Sequence, residues 1–192
     1  MPEYAFFSLW ELETSIDRVW DIICQPEQLP DWFPYVNRAE PISPGNADGV
    51  GRLTRTWWTS ALPYGFVLDL RTTRVAPPHL LELEASEDLE GTGRWELSAD
   101  AGTTTVRYYW TVRTVKPWMT LLAPLARPVF AWNHAIVMRS GGEGLAGLLG
   151  ARLVASRSFS EESVNPATAI STTLGLAALA LSMTRWLRRL LF

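Results

Sequence analysis

Apolar and polar residues alternate along the middle of the chain, and this pattern predicts several half-buried β-strands. Between residues 66 and 113 the apolar side chains fall at every second position: Phe66, Leu68 and Leu70; Leu81 and Leu83; Trp95 and Leu97; Val106, Tyr108, Trp110 and Val112. Alternation of this kind is typical of an antiparallel sheet with one covered face. Residues 51–60 are ambiguous, because Leu53 and Trp57 lie on one face and Trp58 on the other.

Helical spacing flanks this strand-rich region on both sides. After an N-terminal strand over residues 4–13, four apolar residues follow at i, i+3, i+4 and i+7: Ile16, Val19, Trp20 and Ile23. Residues 27–33 predict a second short helix or turn between prolines. A long helical region runs from Pro117 to about residue 153, with a break or kink expected at Pro124 and Pro128.

Glycines interrupt that last helix and lie on one of the strands. Gly141, Gly142, Gly144 and Gly147 each cost about 1 kcal/mol of helix stability relative to Ala. We therefore expect the helix to lie close against a sheet or a ligand. Gly91 and Gly93 share the inward face of Trp95, and there they permit bending or leave room for a ligand.

Composition narrows the class of protein. The 192 residues are 47% hydrophobic with a net charge of −3, and the cationic side chains are scattered, which argues against a nucleic-acid partner. Ten Trp residues indicate an aromatic core or a lined cavity. The single cysteine, Cys24, excludes an intramolecular disulfide and fits a cytoplasmic protein. The N-terminus lacks the features of a signal peptide, and no metal or cofactor motif is present.

The order of elements, together with three local motifs, resembles a known superfamily. The motifs are the segment Ile16–Ile23 followed by Leu29–Pro34, the turn Gly49–Gly51 before a strand, and Trp132–His134 with Met138 and Gly144 in the last helix. Over residues 4–153 the chain is similar to SRPBCC proteins, especially bacterial members of the polyketide cyclase/dehydrase type. The resemblance implies an α+β helix-grip fold, in which a curved antiparallel sheet wraps around a long C-terminal helix, with two short helices after the first strand.

The resemblance also implies a deep cavity between sheet and helix that holds an apolar ligand such as a lipid, a quinone or a polyketide-like molecule. The residues expected to line it combine inward strand positions with the last helix: Trp57, Phe66, Leu68, Leu83, Trp95, Tyr108, Trp110, Trp132, Asn133 and Met138.

Three polar residues are weak candidates for catalysis. Arg55 points inward if Leu53 and Trp57 do, and a buried guanidinium would then hold a ligand oxygen; the alternative is that Arg55 faces solvent and Trp58 faces in. His134 is a possible general base, against the plainer alternative of a helix histidine paired with a carboxylate. Asn133 is the better ligand contact. The other histidine, His79, is expected to be exposed in a turn.

The C-terminal region is expected to lie outside the domain, which we place at residues 1–153. Residues 154–166 predict a polar linker, and residues 167–192 an apolar or amphipathic helix with Arg185, Arg188 and Arg189 away from its apolar face. Such a helix can dock on the domain or a second copy, lie on a membrane surface, or span a membrane, and the remaining alternative is that the segment is disordered.

Three functions therefore remain open. The first is a binding or transfer module for an apolar small molecule. The second is a cyclase or dehydratase that uses Arg55, Asn133 or His134. The third is a cytoplasmic protein that associates with a membrane through residues 167–192.

Overall fold

Eight antiparallel strands form one curved sheet. The computed structural model describes residues 3–62, 64–114 and 123–160. The strands are β1 (Glu3–Leu12), β2 (Val36–Ser43), β3 (Leu53–Trp58), β4 (Phe66–Ala76), β5 (Leu80–Glu87), β6 (Leu89–Asp100), β7 (Thr103–Thr114) and β8 (Leu153–Ser160). Their order across the sheet is β2-β3-β4-β5-β6-β7-β1-β8. The strand-rich middle region predicted from alternation is confirmed.

In the described ranges, three α-helices pack against the concave face. Helix α1 (Ile16–Ile23) and the short α2 (Leu29–Trp32), which follows a 3-10 turn at Pro26–Gln28, lie after the first strand as predicted. The long helix α3 spans Ala123–Leu149 and continues through Pro128, where a break or kink was expected. This arrangement is the helix-grip α+β fold, so the predicted fold is confirmed.

One end of the space between α3 and the sheet is filled by aromatic side chains. Trp10 and Trp32 meet edge to face with ring centroids 6.5 Å apart, and Phe33 packs beside Trp32 at 5.2 Å. All three are at most 3% exposed, and Leu145 of α3 is fully buried against them. The glycines of α3 permit this contact. A Cβ at Gly144 would lie 1.7 Å from the backbone oxygen of Trp32.

The domain continues beyond the boundary expected from sequence. Strand β8 pairs with β1, with Phe159 opposite Phe7, so the prediction of a linker from residue 154 is wrong for residues 154–160. The reason is that β8 is an edge strand with one neighbour, and its polar side chains are tolerated there. The rest of the predicted linker and the helix at 167–192 lie outside the described residues. No helix in the described ranges is long and apolar enough to cross a membrane.

Candidate functional site

A cavity of about 170 Å³ opens at the other end of the space between α3 and the sheet. Its walls are mainly aromatic and aliphatic side chains from β1, β4, β7 and α3. The space is comparable to a cavity of about 150 Å³ that holds benzene in another protein. The cavity therefore suits an apolar group of one or two rings, or one end of a longer molecule.

Six of the residues proposed for ligand binding lie on these walls. Strand positions supply Phe66, Leu68, Tyr108 and Trp110, and α3 supplies Asn133 and Met138. Their strand members belong to the regular alternation of β4 and β7, where the covered face could be read directly from the pattern. That these residues contact a ligand stays a prediction.

Four others do not line the cavity. Leu83 and Trp95 face inward but are buried in the core behind it, where Trp95 stacks on Tyr108 at 4.0 Å. Trp57 lies on the outer face under the guanidinium of Arg38, 4.8 Å from the ring centroid. Trp132 is 47% exposed. The expected cavity positions of these residues are therefore wrong.

The inward glycines of β6 do not leave room for a ligand as sequence reasoning allowed. A Cβ at Gly93 would lie 2.8 Å from Leu83 and 2.9 Å from the hydroxyl of Tyr108. At Gly91 a Cβ would meet the backbone oxygen of Thr111 at 2.0 Å. The space beside these glycines is thus filled by protein atoms.

Several wall residues were missed by the sequence analysis. Tyr4 and Phe6 of β1, Leu70 of β4 and Phe130 of α3 all line the cavity. Trp58 of β3 lines it too, in the inward position that was one of the two alternatives for that strand. The signal for β1 was available, because Tyr4 and Phe6 alternate onto the same face as Trp10. The other wall residues missed from the sequence are Tyr64, Gly65, Asp88, Leu89, Val112 and Val137.

Arg55 is directed away from the cavity. Its Nε and Nη2 donate to the two carboxylate oxygens of Asp69, each at 2.7 Å, and Nη2 also donates to Glu87 at 3.0 Å. The hydrogen bonds to Asp69 raise the pKa of the guanidinium, so it stays charged. The alternative interpretation of β3 is the correct one: Trp58 faces in, stacked on Phe66 at 6.0 Å. Arg55 is therefore no candidate for chemistry in the cavity.

Asn133 joins α3 to the loop between β3 and β4. Its Oδ1 accepts a hydrogen bond from the backbone N–H of Ala61 at 2.9 Å. The same loop region contributes Tyr64 and Gly65 to the cavity wall. Asn133 thus holds the rim of the cavity in place, and its side-chain amide nitrogen is the part left for a ligand.

His134 lies on the cavity wall and belongs to a small polar group. Its Nε2 is 3.3 Å from Ser8 Oγ, and Ser8 Oγ is 2.9 Å from Ser158 Oγ. The ring stacks on Phe6 with centroids 4.4 Å apart. Removal from water lowers the pKa of His134 to about 3, so the imidazole is neutral at neutral pH. The expected pairing with a carboxylate is replaced by a serine hydroxyl.

Two tyrosines add hydroxyl groups without adding charge. Burial raises the pKa of Tyr64 to about 12, and burial likewise raises the pKa of Tyr108. Both therefore stay protonated at neutral pH. The other histidine, His79, is exposed as expected, and its Nδ1 lies 3.1 Å from the carbonyl oxygen of Leu97.

A second hollow, of about 440 Å³, lies outside this interior, between α1 and the loop that joins β2 to β3. Cys24, Asp48 and Arg52 contribute polar groups to its wall. Arg52 is already engaged, because its Nη1 donates to the carbonyl oxygen of Cys24 at 2.9 Å. Desolvation raises the pKa of the Cys24 thiol, which opposes formation of a reactive thiolate. Its wall mixes these polar groups with apolar side chains such as Trp20 and Leu81, whereas the wall of the first cavity is mainly apolar.

Solved structures share the fold at low sequence identity. The ZhuI aromatase/cyclase from Streptomyces sp. R1128 superposes with a TM-score of 0.65 and 15% identity, over 78% of this chain and 94% of that one. A START superfamily protein from Mycobacterium smegmatis gives a TM-score of 0.64 and 13% identity, over 77% and 97% of the two chains. The di-domain aromatase/cyclase BexL of the BE-7585A biosynthetic pathway gives 0.61 and 16%, over 78% and 51%.

No curated protein matches the chain in sequence. The family model described as polyketide cyclase / dehydrase and lipid transport matches residues 11–149, a range that includes α1, α2, most of the sheet and all of α3. With the cavity between α3 and the concave sheet, this match supports a role in binding or cyclising hydrophobic molecules. The chain belongs to the polyketide cyclase / dehydrase and lipid transport family.

Proposed function

We propose that this protein binds a hydrophobic small molecule, such as a lipid, a quinone or a polyketide-like compound, in the cavity between α3 and the sheet. The observation that carries the proposal is the cavity itself, whose walls are mostly aromatic and aliphatic. Apolar walls with few polar groups are typical of small-molecule sites. The driving force is removal of apolar ligand surface from water, at about 25 cal/mol per Å².

Catalysis is the second candidate function, and the polar group on the cavity wall favours it. Of the three catalytic candidates, Arg55 is tied to Asp69 outside the cavity, whereas Asn133 and His134 remain on its wall. A neutral imidazole beside a serine hydroxyl could move a proton during a cyclisation or dehydration. Loss of turnover on a polyketide-like chain in His134→Phe, with ligand binding retained, is the result expected of such an enzyme.

Binding is tested by titration with N-phenyl-1-naphthylamine, a neutral apolar dye whose emission rises when it leaves water. We expect saturable binding at one site. Val137→Phe should lower the affinity at least tenfold, because Val137 lies on the cavity wall and the larger ring takes the ligand's place. The matched control is Val154→Phe, since Val154 is 47% exposed on β8, away from the cavity.

Native mass spectrometry of the purified protein complements the titration by identifying a bound molecule. Absence of both a mass adduct and saturable dye binding would contradict the proposal. The membrane hypothesis for residues 167–192 lies outside the described residues and stays a prediction. Deletion of residues 166–192 followed by membrane fractionation tests it separately.

A further inference from the structure

Three polar side chains form a continuous chain from the edge of the sheet to the cavity. Ser158 lies on the edge strand β8 and is partly exposed, whereas Ser8 on β1 is 1% exposed. Ser8 Oγ lies 2.9 Å from Ser158 Oγ and 3.3 Å from Nε2 of His134. Ser8 thus connects a hydroxyl at the sheet edge with an imidazole on the cavity wall.

The histidine ring is fixed on two sides. Phe6 stacks on one face with an interplanar angle of 17°, and Ser8 bonds to one ring nitrogen. The second nitrogen, Nδ1, has no hydrogen-bond partner among the described residues. Because His134 lies on the cavity wall, a ligand atom that forms a hydrogen bond with this nitrogen adds affinity.

Charge on the cavity wall limits what this ligand atom can be. No Lys or Arg of the described residues contributes to the wall, so a ligand carboxylate would meet no counter-ion from this part of the chain. The imidazole itself is neutral because burial lowers its pKa. Among the described wall residues the carboxylate is that of Asp88, and it accepts a hydrogen bond from the backbone N–H of Val67 at 3.0 Å.

We propose that His134 binds a neutral oxygen of the ligand, a hydroxyl or a carbonyl, through Nδ1, and that Ser8 and Ser158 position the ring and set its tautomer. The proposal rests on the proposed function, since it names the polar group of the hydrophobic molecule that occupies the cavity. It makes His134 a specificity-determining residue of a mostly apolar site.

The serine hydroxyls permit both directions of hydrogen bonding. When Ser158 donates to Ser8 and Ser8 donates to Nε2, the proton of the ring is on Nδ1, which can donate to a carbonyl or hydroxyl oxygen. When Nε2 donates to Ser8 and Ser8 donates to Ser158, Nδ1 accepts from a hydroxyl. A hydroxyl satisfies either arrangement, which makes phenols and alcohols the favoured class.

Three probes of equal ring size test the proposal: 2-naphthol, 2-methylnaphthalene and 2-naphthoate, each titrated by calorimetry at pH 7. We expect 2-naphthol to bind about five- to tenfold more tightly than 2-methylnaphthalene, which corresponds to one net hydrogen bond. The carboxylate should bind most weakly. His134→Phe should bind 2-naphthol and 2-methylnaphthalene equally, whereas the surface control His79→Phe should keep the preference.

The role of Ser8 is tested by the nitrogen-15 shifts of the His134 ring, which report its tautomer. Ser8→Ala should change the shift of Nε2 in the free protein and weaken the preference for 2-naphthol, while near-ultraviolet circular dichroism stays that of the wild type. Unchanged ring shifts in Ser8→Ala would show that Ser8 does not position the ring and would overturn that part of the proposal.

The remaining outcomes separate this inference from the proposed function. Equal binding of 2-naphthol and 2-methylnaphthalene to the wild type would overturn the inference and leave the hydrophobic site intact. Tightest binding of 2-naphthoate would overturn it as well, because a cation would then have to face the ligand. If neither these three probes nor N-phenyl-1-naphthylamine binds, the proposed function is contradicted. The inference, which rests on that function, is then contradicted as well.

Discussion

The two halves of α3 lie over the same sheet, but the space beneath one half is closed by packing and the space beneath the other remains a cavity. Toward its C-terminus, Gly141 and Gly144 let α2 approach until Phe33 touches the helix, and the space is closed. Toward its N-terminus the inward positions carry Phe130, His134 and Val137, and a cavity remains between them and the strands. The sheet supplies aromatic residues at both ends.

The difference shows that the helix, rather than the strands, decides whether an aromatic residue becomes core or cavity wall. Trp10 of β1 and Trp110 of β7 both face inward on adjacent strands. Trp10 is 1% exposed and would lie 2.9 Å from a Cβ at Gly142, whereas Trp110 lines the cavity. The C-terminal half of α3 therefore packs closely on the side chains beneath it, and the cavity lies beneath its N-terminal half.

The largest expected effect comes from removing a core side chain at the closed end. Leu145→Ala should lower the free energy of unfolding by about 3–5 kcal/mol, because Leu145 is fully buried in the core cluster and its truncation leaves a new cavity there. The matched change Leu70→Ala at the open end should cost about 2 kcal/mol, since it enlarges a space that already exists. Urea unfolding measures both. Equal losses would remove the distinction between the two ends.

The second-largest change in stability is expected from substitution of the glycines of α3. Gly144→Ala should destabilise the protein by about 3 kcal/mol, because its Cβ would lie 1.7 Å from the backbone oxygen of Trp32 and the helix must move away. Gly147→Ala is the control on the same helix. No atom of the described residues outside the helix's own backbone lies within 4 Å of its added Cβ, so the better helix propensity of Ala should raise stability by about 0.5–1 kcal/mol.

Thermal and urea unfolding of the two alanine variants give the sign directly. A stabilising Gly144→Ala would mean that α2 and α3 are farther apart than the close contact with Trp32 indicates. A destabilising Gly147→Ala would mean that this position is covered by something outside the described residues.

The inward face of a cavity strand could be predicted from the sequence where the alternation of apolar and polar residues is unambiguous. It could not be predicted where both faces of the strand carry apolar residues. In β4 and β7 one face is consistently apolar, so Phe66 and Trp110 were placed correctly. In β3, Trp57 and Trp58 lie on opposite faces, and a shift of one residue exchanges them. The deciding contacts, Arg55 with Asp69 and Trp58 with Phe66, join residues of different strands and leave no local signal.

The helix and the edge strand show two further limits. The cavity face of α3 carries Phe130, Asn133, His134 and Val137. The two polar members were candidates from the sequence, whereas Phe130 and Val137 were missed and the exposed Trp132 was selected instead. Ser8 is an inconspicuous serine in an aromatic strand, and its partner Ser158 is 150 residues away in the chain. Only the pairing of β8 with β1 brings these side chains together.

The third prediction uses the pH dependence of stability at the open end. Because burial lowers the pKa of His134 to about 3 in the folded chain, the unfolded chain binds a proton there below about pH 6.5 that the folded chain does not. The free energy of unfolding is therefore highest above pH 6.5 and decreases as the pH falls below that value. Between pH 7 and pH 5 the wild type should lose about 1–2 kcal/mol more than His134→Phe.

Urea unfolding at the two pH values measures this difference, and the carboxylates and His79 cancel because both variants share them. His134 is only partly buried, and water in the cavity would reduce the effect toward the lower figure. Equal pH dependence in the two variants would show that the ring is well solvated and that the polar group at the open end does not face an apolar space.

The smallest change in stability is expected from a substitution on the outer face of the sheet, behind the cavity. Arg55→Gln removes both hydrogen bonds to Asp69, which is 9% exposed and is left with a less well compensated charge. Stability should fall by less than in the preceding variants, because the Arg55 side chain is 38% exposed and water replaces part of the interaction. The affinity for N-phenyl-1-naphthylamine should not change, since the guanidinium points away from the site. A tenfold loss of dye affinity with unchanged stability would return Arg55 to the inner face and reverse the assignment of Trp57 and Trp58.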